Sequence, residues 1–356
     1  MIEIFNKTNL TNKTRKPGSV LVLVLIVLSS LIILSVGLAY RTKIEVELAF
    51  TYSKRIQSYY LALGGIERIK VLLSSQEPSP LFITQVCQFN GNAMEENLFE
   101  INNESSFVED MLLTYSLRDE LSYFCLNHPN PAAWENIGYI EHDYSASILD
   151  WIDADENANQ GGAETNYYER FEPPYISKNA PFTALKELLY IKGATQELYA
   201  GEDLNHNMFL DNNERDGFVS APYDNGDNLL DYGLVDTFTV YGNGRININT
   251  VNPMILKSLP GLDERVAQLI CSYRTGYDGV IGTSDDKCFE NQESILSIES
   301  MSEIQASLLM DYCCFDSQYF RIFSSSGFNN SFKCSLMAIV GFQEEELKVF
   351  YMERLL

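Results

Sequence analysis

Residues 19–73 read SVLVLVLIVLSSLIILSVGLAYRTKIEVELAFTYSKRIQSYYLALGGIERIKVLL, and this stretch decides the fold. Its first 21 residues, 19–39, carry no charge. As an α-helix they span roughly 31 Å, about one bilayer core, and they exceed the apolar region of a secretory signal peptide. Apolar residues continue at helical spacing up to residue 73. The sequence therefore predicts one continuous helix over 19–75, with 19–39 as its transmembrane part.

The charges around this segment predict its orientation. Residues 1–18 carry Lys7, Lys13, Arg15 and Lys16 against Glu3, a net charge of +3. Because cytoplasmic flanks are rich in Lys and Arg, we expect the N-terminus in the cytoplasm and the bulk of the chain outside. Subtracting this +3 from the formal −24 of all 356 residues leaves −27 beyond residue 18. That acidity disfavours nucleic acid and favours a divalent cation, an anionic surface that keeps the protein soluble, or a partner with basic patches.

The start of the sequence resembles the leader of type IV pilins and pseudopilins, because basic residues precede Pro17-Gly18 and an uninterrupted apolar helix. The resemblance implies cleavage after Gly18 by a prepilin peptidase and methylation of the new N-terminal residue, Ser19. Most members carry Glu at the fifth mature position, where this sequence has Leu23. A subunit with no neighbour above it has no partner for that buried carboxylate. The departure is typical of the K-type minor pseudopilins of type II secretion, which sit at the tip.

A second block, LDWIDADENANQGGAETNYYERF at 149–171, is similar to the DWIDxD segment of the same K-type family. Four of its residues stand at relative positions 1, 3, 5 and 12 of a calcium-binding loop: Asp153, Asp155, Asn157 and Glu164. The glycine expected at position 6 is Ala158. We therefore expect either a further calcium site or a solvated turn whose carboxylates cap the next helix.

The loop GEDLNHNMFLDNNERDGF at 201–218 matches calcium spacing more fully. Side-chain ligands are expected at positions 1, 3, 5, 9 and 12, with a backbone carbonyl at position 7. These are Asp203, Asn205, Asn207, Asp211 and Glu214, with Phe209 supplying the carbonyl. The sequence predicts structural Ca²⁺ here. Asp224, Asp227 and Asp231, which follow among Gly and Asn, either complete this site, bind a second ion or form a polar turn.

Residues 242–274 read GNGRININTVNPMILKSLPGLDERVAQLICSYR and predict a helix-hairpin-helix that turns at Leu259, Pro260, Gly261 and Leu262. The pattern resembles both the second helical domain of K-type pseudopilins and the membrane-anchored DNA receptor of bacterial competence. A phosphate-binding hairpin needs free N–H groups at this turn, whereas Asp263 and Glu264 place two carboxylates there. The sequence therefore favours a packing module over DNA binding.

Enzyme motifs are missing from the sequence. It has three histidines and no G-x-S-x-G, Walker A or H-E-x-x-H pattern, and Asp150 with Asp153 is its best carboxylate pair. We predict that the chain is not an enzyme.

Five of the seven cysteines lie between Cys271 and Cys334, and since export permits disulfides, we expect one or two bridges there.

The expected fold is α+β: a pilin-like long N-terminal transmembrane helix packed on a small antiparallel sheet, with a large inserted helical domain that contains the hairpin. The predicted parts are a leader at 1–18, the helix at 19–75, sheet segments at 76–104 and 318–356, a helical insertion with calcium loops at 105–236, and the hairpin domain at 237–317. Strands are expected at 81–90, at 98–102 and in three alternating runs after residue 317.

The resemblance implies a minor pseudopilin at the tip of the type II secretion pseudopilus, anchored once in the bacterial inner membrane with its bulk in the periplasm. Implied partners are I- and J-type minor pseudopilins, the major pseudopilin, the prepilin peptidase, and secreted substrate or the outer-membrane secretin, but no nucleic acid. Two alternatives stay open: a membrane-anchored DNA receptor, and a calcium-dependent type IV minor pilin or adhesin.

Overall fold

The computed structural model describes residues 18–75, 111–202, 210, 212–215, 217, 224, 226–228, 230–279, 283, 285–328, 334–344 and 346–355. The fold is α+β. Its contacts divide the chain into two compact units, Met1–Gln57 and Ser58–Leu356. The expected leader, apart from Gly18, and the expected strands at 81–90 and 98–102 lie outside the described residues.

Helix α1 runs without interruption over Gly18–Ser75, which confirms the long N-terminal helix. Its stretch Val20–Ser74 contains a window of mean hydropathy 3.0, none of it buried, and is long and apolar enough to cross a membrane. Large apolar side chains such as Leu21 and Ile33 are more than two-thirds exposed, at 71% and 72%. Because water does not favour such a surface, this part of α1 is a candidate membrane anchor.

The second unit begins within α1 and contains short helices and strands in the following order. The elements are β1 (Met111–Asp119), β2 (Phe124–Cys125), α2 (Pro131–Glu135), α3 (His142–Ile152), α4 (Thr165–Tyr168), α5 (Gln196–Ala200), β3 (Phe238–Thr239), β4 (Ile246–Asn247), α6 (Pro253–Ser258), α7 (Glu264–Arg274), α8 (Gln292–Leu296), α9 (Glu303–Tyr312), β5 (Cys313–Cys314), β6 (Tyr319–Phe328), β7 (Cys334–Gln343) and β8 (Glu346–Leu355). Short 3₁₀ helices lie at Glu120–Ser122, Leu185–Tyr190, Asn212–Glu214 and Leu234–Asp236.

Four strands form one antiparallel sheet in the order β1-β6-β7-β8. The three tail strands are where the alternating pattern predicts them. The first strand, β1, lies inside the range 105–236 that was expected to be helical. Its buried residues Leu113, Tyr115 and Leu117 alternate, which is the period of a half-buried strand.

The C-terminal part of α1 covers one face of this sheet. Ala62, Ile66, Ile69 and Leu73 recur at helical spacing and pack in one core with apolar residues of β1, β6 and β7. Gly65 lies against β6, since a Cβ at this position would be 2.3 Å from Ser324 Oγ. The glycine therefore lets the helix approach the sheet closely.

Residues 120–318, called the insertion below, connect β1 to β6 and form a second core. Two small parallel ribbons join its ends to its middle: β2, near its start, pairs with β3, and β5, near its end, pairs with β4. Residues Leu185–Tyr190 form a short 3₁₀ helix. Helices α6 and α7 flank the turn at Leu259–Leu262, where Gly261 has φ +83°. Asp263 caps α7 by accepting a hydrogen bond of 2.9 Å from the Val266 N–H.

A buried polar network joins the insertion to the sheet. The Asp119 carboxylate, at the end of β1, accepts hydrogen bonds from the Leu121 N–H at 2.8 Å, Asn247 Nδ2 at 2.8 Å, Thr250 Oγ1 at 2.6 Å and the Ser317 hydroxyl. Burial raises the pKa of Asp119, and these four donors oppose that rise. The NINT residues at 247–250 are thus structural partners of the sheet.

A buried ion pair lies in the same network. Arg321 of β6 donates to both carboxylate oxygens of Glu120 and, at 3.1 Å, to the Val235 carbonyl. Its guanidinium also lies 4.8 Å from the centre of the Tyr123 ring. Both charged side chains are almost fully buried.

One or two disulfides were expected among the five cysteines from Cys271 to Cys334. This prediction is wrong, since all five are among the described residues and are free. Cys271, Cys288, Cys313, Cys314 and Cys334 are free thiols, as is Cys125. Burial raises the pKa of Cys271 and of Cys314, the latter to about 12, so these thiols are poor nucleophiles.

Candidate metal centre

Three carboxylates meet at the C-terminal end of α3. Asp150 and Asp153 lie one helical turn apart, and Glu164 is the N-cap of α4. One oxygen from each of the three lies within 4.8 Å of the other two. Asp150 is fully buried and Glu164 is 3% exposed, whereas Asp153 is partly exposed.

The chain between α3 and α4 turns back on itself so that Glu164 reaches α3. The Asn159 N–H donates to Asp150 Oδ1 at 3.1 Å, and Asn159 Nδ2 donates to the same oxygen at 2.5 Å. Lys192 Nζ donates to the Gly161 carbonyl at 2.7 Å. A Cβ on Gly162 would lie 2.0 Å from Asp150 Oδ2, so only glycine fits beside that carboxylate.

Aromatic side chains form the base of this region. Trp151, the neighbour of Asp150, packs edge-to-face on Tyr168 at 5.4 Å between ring centres. Tyr168 stacks on Tyr175 at 5.2 Å. Since Asp150 and Glu164 are buried, their ionised carboxylates are less stable there than in solution.

The two acids that flank the loop have raised pKa values. Burial is the main cause for both, and it raises the pKa of Glu164 to about 7 against the 4.5 of an ordinary glutamate. The pKa of Asp153 is raised as well, first by burial and also by the neighbouring Asp155 and Asp150. The Ser177 hydroxyl donates to Glu164 Oε2 at 3.1 Å and partly opposes the shift.

Two oxygens of the cluster are buried with no hydrogen-bond donor among the described residues: Glu164 Oε1 and Asp153 Oδ1. Two carboxylate charges at 4.8 Å repel each other by about 3.5 kcal/mol at an effective dielectric constant of about 20. Either protons or a cation must offset that repulsion. An all-oxygen donor set without His or Cys suits Ca²⁺ or Mg²⁺ rather than a transition metal.

The loop prediction at Asp153–Glu164 identified two residues of this cluster and missed a third. Asp153 and Glu164 meet, but Asp155 and Asn157 are exposed and bond each other, with the Asn157 N–H and Nδ2 both 2.8 Å from Asp155 Oδ1. The third carboxylate of the cluster comes instead from Asp150. The sequence feature that could have identified it is the i, i+3 spacing of Asp150 and Asp153 in DWID, which puts both carboxylates on one helix face.

Most of the predicted calcium loop at 203–214 lies outside the described residues. This holds for Asp203, Asn205, Asn207, Phe209 and Asp211, whereas Glu214 is described and fully buried. The loop therefore stays a prediction.

The acids that follow this loop are described individually. Asp224 is buried and accepts from the Gly226 N–H at 2.6 Å and from the Gly217 N–H. Asp227 and Asp231 are exposed. In this part Asp224 behaves as a turn-stabilising side chain.

Three comparisons bear on the identity of the chain. Residues 136–201, which contain the carboxylate cluster, match the family model of type II secretion system (T2SS), protein K. The resemblance to the K-type family is confirmed. Protein K of type II secretion from Aeromonas hydrophila is 27% identical over 214 residues. That match spans 52% of this chain and 61% of the length of that relative.

The fold is also similar to a solved structure from a type 2 secretion system. In the crystal structure of the GspK-GspI-GspJ complex from the type 2 secretion system of enterotoxigenic Escherichia coli, one chain superposes with a TM-score of 0.52. The superposition covers 88% of this chain and 99% of that chain, at 15% identity. At this identity the likeness establishes the fold alone.

Proposed function

We propose that the chain is a minor pseudopilin that supports protein export by type II secretion. The protein K match over 136–201 is the observation that carries this proposal. The apolar part of α1 serves as the anchor in the inner membrane, with the insertion and sheet in the periplasm. Prepilin peptidase cleaves after Gly18, and Ser19 becomes the methylated N-terminus.

The proposed position is the tip of the pseudopilus. Leu23 offers no carboxylate to the amine of a subunit above it. We expect the bulky insertion to block the addition of a further subunit. By analogy with the complex of the solved relative, I- and J-type minor pseudopilins are its neighbours. The major pseudopilin, and secreted substrate or the secretin, are the remaining proposed contacts.

Processing and secretion test this proposal together. In the full chain expressed in its host, residues 1–18 are removed from the wild type, and Gly18→Val keeps the precursor mass. Gly37→Val is the matched control, since a Cβ on Gly37 meets nothing within 4 Å. Deletion of the gene stops secretion, and the wild type and Gly37→Val restore it. Equal secretion with and without the gene would overturn the proposal.

The carboxylate cluster supports a second part of the proposal, structural Ca²⁺. Asp150, Asp153 and Glu164 hold the ion, which supplies the positive charge that the cluster needs and ties α3 to α4. The acids of the 203–214 loop are proposed to bind further Ca²⁺. The role is structural, as expected for carboxylates in a closed turn.

Thermal unfolding of the fragment 58–356 with Ca²⁺ or with a chelator tests this role. Ca²⁺ at 100 times its Kd stabilises the fold by about 2.7 kcal/mol, and a chelator removes this. Asp153→Asn and Glu164→Gln reduce the stabilisation, whereas the control Asp155→Asn retains it. Asp203→Asn reports separately on the second loop. A chelator effect that is absent, or equal in all the variants, would contradict the assignment.

The hairpin over α6 and α7 is proposed to be a packing module. The Asp263 carboxylate already caps α7, at the place where a DNA phosphate would bind. A gel shift with duplex DNA at physiological salt is expected to show no complex. Salt-sensitive binding would instead favour the DNA-receptor alternative.

A further inference from the structure

The turn before β4 contains an Asn-Gly pair, Asn243 and Gly244, and both residues are exposed. Gly244 has φ +85°, a backbone conformation that glycine adopts without strain. Because glycine has no side chain, nothing on Gly244 shields its backbone nitrogen from the Asn243 carboxamide. These two groups are therefore adjacent and unhindered on an exposed turn.

The Asn243 side chain is folded back over the peptide bond that follows it. Its Oδ1 accepts a hydrogen bond of 3.1 Å from the Arg245 N–H, which closes an Asx turn. The turn holds Cγ of Asn243 next to the nitrogen of Gly244. A donor already aimed at Oδ1 also stabilises the negative charge that develops on this oxygen when a nucleophile attacks Cγ.

The amide nitrogen of Asn243 is not held in place. Among the described residues, no group accepts a hydrogen bond from Asn243 Nδ2. By contrast, Asn127 and Asn249 each donate from Nδ2 to two backbone carbonyls, at 2.9 to 3.1 Å. The carboxamide of Asn243 can therefore lose its nitrogen without breaking a contact of the fold.

A histidine from another part of the insertion lies beside the same turn. A Cβ on Gly244 would be 2.6 Å from His128 Cβ and 3.7 Å from His128 Nδ1, so the imidazole is within reach of the Gly244 nitrogen through one water molecule. The Gly244 N–H donates to the Cys125 sulfur, a weak acceptor that releases it more readily than an oxygen would. Asn243 and Arg245 also line a cleft of about 530 Å³, which gives water access to the turn.

We propose that the fold promotes deamidation of Asn243, which makes this turn a site of spontaneous covalent modification. The Gly244 nitrogen attacks Cγ of Asn243 while its proton passes through water to His128. The bond from Cγ to Nδ2 then breaks, His128 returns the proton, and the nitrogen leaves as ammonia. One water molecule opens the cyclic imide at either carbonyl, which gives aspartate or isoaspartate. The net reaction consumes one water and releases one ammonia, and the turn gains a negative charge.

Peptide mapping by mass spectrometry tests this on the purified full chain in detergent. After incubation at neutral pH, the peptide that contains position 243 is expected to be heavier by the exchange of an amino group for a hydroxyl, and to elute as aspartate and isoaspartate forms. His128→Gln lowers the rate about tenfold or more, because it removes the base and keeps a polar side chain. The matched control is His142→Gln, which changes an exposed histidine bonded to Glu135 and leaves the rate unchanged.

Unfolding separates the effect of the fold from that of the sequence. In guanidinium the pair loses both the Asx turn and its His128 neighbour, so the rate at Asn243 is expected to fall about tenfold. An unmodified Asn243 in the folded chain would overturn the proposal. So would a rate that is as high or higher in the unfolded chain, or one that His128→Gln leaves unchanged. None of these outcomes depends on secretion or on Ca²⁺.

Discussion

Glu164 shows how burial changes the chemistry of one carboxylate. Its pKa in the folded chain is about 7 against an ordinary 4.5, so between these values the folded state holds a proton that the unfolded state releases. Without metal, the stability due to this group is fully present below pH 4.5 and is lost as the pH rises through 7. We expect urea midpoints in chelator to fall over this range, and Glu164→Gln to flatten the slope.

Ca²⁺ is expected to reverse the fall of stability with rising pH. The ion replaces the proton on Glu164, so it binds more tightly as the pH rises toward 7. Calorimetry at pH 5.5 and 7.5 measures this, with proton release that disappears in Glu164→Gln. Affinity independent of pH would show that Glu164 does not bind the ion.

At the same scale, the sequence indicated the site in part. Asp153 and Glu164 were identified from calcium-loop spacing, which assumes that every second residue of the loop turns inward. Asn159 instead binds Asp150 through both its backbone and its side chain, so the loop closes on α3 and Asp155 remains outside. Spacing rules do not register such a side-chain contact across nine residues.

Two adjacent glycines of α1 provide a test at the scale of the element. Gly65→Val brings side-chain atoms against Ser324 and Leu113, whose nearest atoms lie 2.3 Å and 3.3 Å from the new Cβ, so we expect a loss of about 1–3 kcal/mol. Gly64→Val is the control, because it meets nothing within 4 Å and changes stability by less than about 0.5 kcal/mol. Chemical denaturation of the fragment 58–356 measures both. Equal effects would mean that α1 does not pack through Gly65.

The elements themselves were predictable to different degrees. The helix α1 and the strands β6, β7 and β8 were predicted because their periodicity extends over nine or more residues. The strand β1, one residue shorter, was missed, although Leu113, Tyr115 and Leu117 alternate, since acids and turns surround it. Its identity depends on β6, about 200 residues away, and a local pattern does not contain that partner.

The buried pair Glu120–Arg321 is tested at the scale of the whole second unit, because it joins the sheet to the insertion. Glu120→Gln leaves the Arg321 charge buried without its partner, so we expect a loss of about 3–5 kcal/mol. The double variant Glu120→Leu with Arg321→Met removes both charges and is expected to recover most of this loss. Denaturation in urea compares the two. A double variant no more stable than Glu120→Gln would show that the loss does not come from the uncompensated charge of Arg321.

At the scale of the whole second unit, the sequence indicated the general architecture but not the contacts that join the insertion to the sheet. The expectation of disulfides came from counting exported cysteines, whereas the structure closes the insertion with the Asp119 network and the Glu120–Arg321 pair. Buried hydrogen bonds between residues more than 100 positions apart leave no pattern along the chain.

The Asp119 network also affects the order in which the chain folds. Asp119 and Phe320 are paired neighbours in the sheet, yet the whole insertion separates them along the chain. Closing a flexible loop of that length is entropically unfavourable and slow. Once the insertion has folded, its two ends already meet where Ser317 binds Asp119, so little loop-closure entropy remains to be lost when the sheet forms. The four-stranded sheet is therefore expected to form last, and conditions that delay folding of the insertion, such as removal of Ca²⁺ during refolding, delay the sheet with it.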